Sequence, residues 1–103
     1  MYHIAIVEDE KDFSDQLQEY LKQYAKENNV EIKVSVFYDG ESILAGYAPE
    51  YDAIFLDIQM PGIDGMQTAE RIREIDEEVV LMFITNMAQY AIYGTQWAHW
   101  ILL

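Results

Sequence analysis

Cysteine is absent from all 103 residues, so neither disulfides nor thiolate metal sites are open to this chain. That absence fits a cytoplasmic protein. Basic side chains are scarce: 6 Lys and Arg stand against 19 Asp and Glu, a net charge of −13. So acidic a surface repels polyanions and argues against direct nucleic-acid binding by this chain. The surplus carboxylates either keep the protein in solution or gather, in part, around a cation. No apolar run is long enough to span a bilayer, and no basic start, apolar h-region and cleavage site mark a signal peptide, so no membrane association is expected. There is no linker, repeat or low-complexity tract, and the length implies one domain over residues 1–103 with a modest core.

What is present is an alternation of short apolar runs and helical patterns. His3 to Val7 reads as a first, central strand. His3 itself reads as a strand-start residue, because no second His or Cys lies near it to share a metal. A helix starts at Asp12 or a neighbour. Phe13, Leu17, Tyr20, Leu21 and Tyr24 repeat at helical spacing, and this aromatic stripe is expected in the core. Asn28-Asn29 ends that helix. Ile32, Val34 and Val36 alternate with Lys33 and Ser35, the pattern of a strand near an edge. Asp39-Gly40 turns into a short helix, Glu41 to Tyr47, stopped before Pro49. Asp52 to Asp57 is a buried strand. Asp64-Gly65 opens a third helix with Met66, Ala69 and Ile72 inward, and Glu70 and Glu74 placed to pair with Arg71 and Arg73. Val79 to Thr85 is apolar and expected to be buried on both faces. Met87 to Tyr93 reads as a helix that Gly94 would end. Strands alternating with helices imply an α/β protein: a parallel sheet with right-handed crossovers and helices on both sides.

The stretch from Ile54 to Gly65 carries the chemistry. A buried strand ends in Asp57 and opens at once into a Pro/Gly turn, and ligands of open α/β sheets bind at that carboxyl edge. A lone Asp there would most simply cap a turn. A second apolar run, however, ends in Glu8-Asp9-Glu10, and the fourth strand brings Thr85 and Asn86 to the same edge. Carboxylates so close repel unless a cation sits among them. Oxygen ligands select a hard cation, and Mg²⁺ suits a few carboxylates, a backbone carbonyl such as that of Gln59, and retained waters. A carboxylate beside such an ion is a competent nucleophile toward phosphorus, and the Thr85 hydroxyl would donate to a phosphoryl oxygen.

Glu8-Asp9, then Leu56-Asp57-Ile58-Gln59-Met60-Pro61-Gly62-Ile63-Asp64-Gly65, then Phe83-Ile84-Thr85-Asn86 resemble, in order and spacing, the signatures of response-regulator receiver domains. The resemblance covers residues 1–94. It implies a flavodoxin-like, doubly wound parallel sheet of strand order 2-1-3-4-5. It implies that Asp57 is the phospho-acceptor and a sensor histidine kinase the donor. Glu8 and Asp9 would hold Mg²⁺, Asp9 directly, and Thr85 would be the switch hydroxyl. The module would switch a downstream, DNA-binding output and would not be an enzyme. Phe83-Ile84-Thr85-Asn86 with Tyr90-Ala91 further resembles receivers that precede a LytTR-type DNA-binding domain.

The tail, residues 95–103, departs from the family. Receivers continue with a fifth strand, a lysine that pairs with the phosphoryl group, a proline and a last helix. Here no lysine follows Lys33. The expectation is a sheet of order 2-1-3-4 with the fifth strand and last helix missing or reduced to a stub. The fourth-strand edge and tail would then drive homo-oligomerisation. Read one base earlier, the codons for Thr95 to Leu102 permit Tyr-Ala-Val-Gly-Ala-Leu-Asp-Phe, a receiver-like continuation, so a lost base near the Gly94 codon is the expected origin of the tail. Coding DNA that runs in one frame through Gly94 would overturn this. Two other readings compete. An aspartyl-phosphate phosphatase of the haloacid dehalogenase class needs a second Asp two residues after the nucleophile, where this chain has Gln59. A receiver-like interaction module that is never phosphorylated is compatible with the missing lysine.

Overall fold

The computed structural model describes residues 1–58, 60 and 62–84, and the backbone of 100–102. The apolar runs become parallel strands: β1 (Tyr2–Val7), β2 (Ile32–Phe37), β3 (Ala53–Leu56), β4 (Val80–Phe83) and β5 (Trp100–Leu102). Helices α1 (Lys11–Glu27), α2 (Gly40–Leu44) and α3 (Gly65–Ile75) connect them. The sheet has the order β2-β1-β3-β4-β5. All its pairings are parallel, as the alternating pattern implied. β2 is an edge strand, as its exposed Lys33 suggested. β5 is the expected stub. It pairs with β4 at Leu81↔Trp100, Met82↔Ile101 and Phe83↔Leu102, so the β4 edge is not free and β5 is the outermost strand among the described residues.

Because side chains alternate along a strand, the sheet has two separately built faces. One carries Ala5, Val7, Ile54, Leu56, Leu81 and Phe83, all fully buried against Ile43 of α2 and Ala69 and Ile72 of α3. Each of the Val, Leu, Ile and Phe side chains among them contributes roughly 1.5–3 kcal/mol by leaving water. α3 is set by its N-cap. Asp64 accepts from the Gln67 backbone N–H while the Gln67 side chain accepts from the Asp64 N–H, a reciprocal box that satisfies two otherwise orphaned donors. α2 is shorter than the sequence pattern suggested. It ends at Leu44, and Gly46, at φ 69°, turns the chain away before Pro49 is reached.

The opposite face departs from expectation. α1 turns Ser14 fully inward and half-buries Leu17, Leu21 and Ala25. Tyr20 and Tyr24 are exposed, and Phe13 lies at the border, so the aromatic stripe is not core. Periodicity located the helix but not which part of its apolar arc meets the sheet. β4 is likewise not buried on both faces: Leu81 and Phe83 are buried, while Val80 and Met82 are only half-buried. Asn29, at φ 53°, confirms the Asn-based end of α1. Arg73 does not pair with Glu70 or Glu74 but donates to the carbonyls of Asp76 and Glu77, closing the end of α3. The expected helix at Met87 to Tyr93 and the residues Trp97 and His99 lie outside the described residues.

The amino edge of the sheet is closed by structural polar contacts. The His3 ring lies 4.6 Å from that of Tyr51, and its Nε2 is 2.7 Å from the Ser35 hydroxyl. The Tyr47 hydroxyl donates to buried Asp76, which also accepts from the backbone of Glu78 and Val79. His3 is thus tied up at the end of the sheet remote from Glu8, Asp9 and Asp57.

Candidate functional site

Three ladders run one residue past their strands at the carboxyl edge. The Glu8 N–H donates to the carbonyl of Phe37 (3.0 Å), that of Asp57 to Val7 (3.0 Å) and that of Ile84 to Leu56 (2.8 Å). Glu8 and Asp57 are therefore held by sheet hydrogen bonds rather than by a mobile loop. One carboxylate oxygen from each of Glu8, Asp9 and Asp57 falls in a group whose members all lie within 4.8 Å of one another. Glu8 is buried, Asp57 half-buried and Asp9 exposed, so the group opens to solvent on the Asp9 side.

Burial and company act on Glu8 together. Desolvation, the adjacent charges of Asp57 and Asp9, and a hydrogen bond shared with Asp57 push its carboxyl up to about 8; the Glu10 N–H, donating to Oε1 at 3.1 Å, offsets only part of this. A carboxyl group so displaced is protonated at neutral pH until something positive replaces its proton. The donor set, three carboxylates with room on the solvent side, fits a hard divalent cation that keeps several waters, and Mg²⁺ in particular. Gln59 and Thr85, expected to supply a carbonyl ligand and a hydroxyl, lie outside the described residues, although Ile84 brings the chain to the residue before Thr85 at this edge.

Contacts that the motif reading did not show hold the loop after Asp57. Gly65 donates to the Ile58 carbonyl at 2.8 Å, and a Cβ there would run into the backbone carbonyl of Asp57. The start of α3 thus packs directly against the peptide of the acceptor candidate. Glu41, on α2, reaches across to accept from the Ile63 N–H at 3.2 Å, and a side chain at Gly62, where φ is 77°, would meet that carboxylate. The glycine after Asp64 was a readable signal of close approach. Nothing in the local sequence pairs Glu41 with a loop 22 residues away.

Chemically, a half-buried carboxylate on a strand end, grouped with two more carboxylates in a set that fits a divalent cation, is of the kind that can attack phosphorus. Known proteins give the family. The model of the response regulator receiver domain matches residues 4–97. The sensory transduction protein LytT of Oceanobacillus iheyensis is 38% identical over 98 residues, covering 91% of this chain and 37% of LytT. The response regulator TrrA of Thermotoga maritima, in a crystal structure with Mg²⁺-BeF, superposes with a TM-score of 0.80 at 27% identity, covering 100% of this chain and 87% of TrrA. TrrA in complex with the histidine kinase ThkA gives a TM-score of 0.68, again at 27% identity, over 100% of this chain and 86% of TrrA. The chain spans about a third of the length of the curated regulators it matches. With its sheet order, its strand-end carboxylates and a family match over most of its length, the chain belongs to the response regulator receiver domains of two-component signalling.

Proposed function

We propose that this chain accepts a phosphoryl group on Asp57 from a sensor histidine kinase and passes the change to a transcriptional output elsewhere in its protein. The carrying observation is the clustering of Glu8, Asp9 and Asp57 at one sheet edge. In the transfer, an Asp57 carboxylate oxygen attacks phosphorus. The new P–O bond forms as the P–N bond of the donor phosphohistidine breaks, and the leaving imidazole takes a proton from solvent. Mg²⁺, held by Glu8, Asp9 and Asp57 with the Gln59 carbonyl, would offset charge on the phosphoryl oxygens. The sheet ladder fixes Asp57 for attack, while Asp9 keeps the entrance polar and hydrated. Thr85 is the proposed switch hydroxyl. The kinase assignment draws on TrrA, which has been crystallised with ThkA. The domain turns over no substrate and so is not an enzyme in this reading, works in the cytoplasm, and leaves DNA contact to another part of the protein. We also propose that copies of it associate.

Mg²⁺ at the three carboxylates would supply the positive charge that a phosphoryl group on Asp57 needs, so labelling should depend on the ion. Incubation with acetyl phosphate and Mg²⁺, followed by intact mass measurement, tests the reading. A shift of one phosphoryl mass, lost in Asp57→Asn, is expected. The competing reading is an interaction module that is never phosphorylated. No labelling under conditions that label TrrA would select it.

A further inference from the structure

Asp57 is held from its two sides by different devices. Before it, the sheet ladder ties its N–H to the Val7 carbonyl at 3.0 Å. After it, the chain loops out and returns at Gly65, whose N–H donates to the Ile58 carbonyl at 2.8 Å. A β-carbon on Gly65 would run into the Asp57 carbonyl oxygen, so the returning limb, residues 62–65, ends directly on the Asp57 peptide. Where that limb is held therefore decides how the Asp57 carboxylate stands, as the supports of a ligand generally do.

The limb is held from α2. Gly40 approaches Thr68 and Ile63 too closely for any side chain to fit, and the Thr68 hydroxyl donates to the Asp64 carbonyl at 2.8 Å. Asp39 caps α2 by accepting from the Ser42 N–H at 2.7 Å. The turn so fixed aims Glu41 at the limb. Its carboxylate accepts from the Ile63 N–H at 3.2 Å, and a β-carbon at Gly62 would stand 2.6 Å from its Oε1. A carboxylate in the first turn of a helix ordinarily serves the helix dipole. Two observations show more than that here. The bond leaves α2 for a residue 22 positions away, and the loop carries a glycine at φ 77° where the carboxylate needs room.

We propose that Glu41 is a positioning residue for the cation site: by fixing Ile63 it fixes the limb that ends on Asp57, and so holds the Asp57 carboxylate beside Glu8 and Asp9. The inference rests on the reading of Glu8, Asp9 and Asp57 as a Mg²⁺ site. Glu41 is exposed, and without it the Ile63 N–H turns to water, so the bond adds little to global stability. What it supplies is population. A site whose competent arrangement is present only a fraction of the time binds more weakly by that fraction. With the tie cut, the competent arrangement should be present about a third to a tenth of the time, a loss of about three- to tenfold in affinity. Linkage acts in both directions, so Mg²⁺ at the site should slow exchange of the Ile63 amide hydrogen with solvent.

Two conservative substitutions separate reach from charge. Glu41→Gln keeps the acceptor oxygen and the length but loses the charge. Glu41→Asp keeps the charge and serves the helix dipole but is a methylene too short to meet Ile63. Mg²⁺ titration of the whole chain followed by NMR, in about 0.15 M salt, should give Glu41→Gln an affinity within about twofold of the unsubstituted protein. Glu41→Asp should bind about three- to tenfold more weakly, with its Ile63 amide exchanging faster and its urea midpoint unchanged. Glu41→Asp binding like the unsubstituted protein would overturn this inference alone. So would Glu41→Gln as weak as Glu41→Asp, since charge rather than reach would then act, or a Glu41→Asp loss matched by an equal loss of global stability. An unsubstituted protein that binds no Mg²⁺ would remove the cation site itself, and this inference with it.

Discussion

Glu8 and Asp9 are neighbours in sequence but not in chemistry. The ladder turns Glu8 into the interior against Asp57, while Asp9 faces water. With its folded carboxyl raised from 4.5 to about 8, Glu8 binds its proton more tightly in the folded state than in the unfolded one. The stabilising contribution is therefore complete below about 4.5 and lost as pH rises through about 8. Two outcomes follow. The cation-free protein should lose stability in urea between pH 5 and 8, a loss that Mg²⁺ reverses. Mg²⁺ affinity, measured by calorimetry or NMR titration, should rise by up to about tenfold per pH unit from pH 6 to 8, because the cation must displace the Glu8 proton. Glu8→Gln should flatten that slope. Asp57→Asn removes a like charge from Glu8 and should raise cation-free stability at pH 7 by about 1 kcal/mol while abolishing labelling. That Asp57 ends a strand was readable from its apolar run and the turn after it. That Glu8 rather than Asp9 is the buried partner was not, because the two differ in burial only once β1 lies between β2 and β3.

At the scale of elements, α3 carries its own start signal and touches the site. Asp64→Ala breaks the reciprocal cap and should cost about 1 kcal/mol, seen as a lower urea midpoint. Gly65→Ala should cost more, about 1–3 kcal/mol, because the added methyl meets the Asp57 backbone rather than a side chain that could swing away. It should also weaken Mg²⁺ binding, whereas Asp64→Ala should leave binding nearly unchanged. α1 teaches the opposite lesson. Its stripe of Phe13, Leu17, Tyr20, Leu21 and Tyr24 spans an arc wider than one contact, and only the leucine side of it reaches the sheet. Sequence spacing gives the arc; the position of the helix over β1 and β2 decides which half of it is buried.

At the scale of the whole molecule, charge dominates. With 19 acidic and 6 basic residues, self-repulsion opposes the compact state. Raising monovalent salt from low millimolar to 0.15 M, where the Debye length is about 8 Å, should raise the melting temperature by roughly a few degrees. Mg²⁺ at matched ionic strength should add a further increment that Asp9→Ala removes, since binding to the folded state alone stabilises it. A melting temperature indifferent to Mg²⁺ at matched ionic strength would argue against a cation site at Glu8, Asp9 and Asp57.

By itself the sequence determined the alternation of strands and helices, the parallel sheet, the edge position of β2, the cap of α3 and the arrival of Glu8, Asp9 and Asp57 at one edge. These follow from local patterns: apolar periodicity, turn residues and strand ends. Tertiary structure alone decided three things. It made Glu8 the strained carboxyl, since desolvation depends on neighbouring strands. It tied Glu41 to the loop at Ile63, a contact between residues with no local relation. And it left Phe55, Val80 and Met82 half-covered, because burial depends on how many helices lie over a face, a property of the packed layers and not of any one segment.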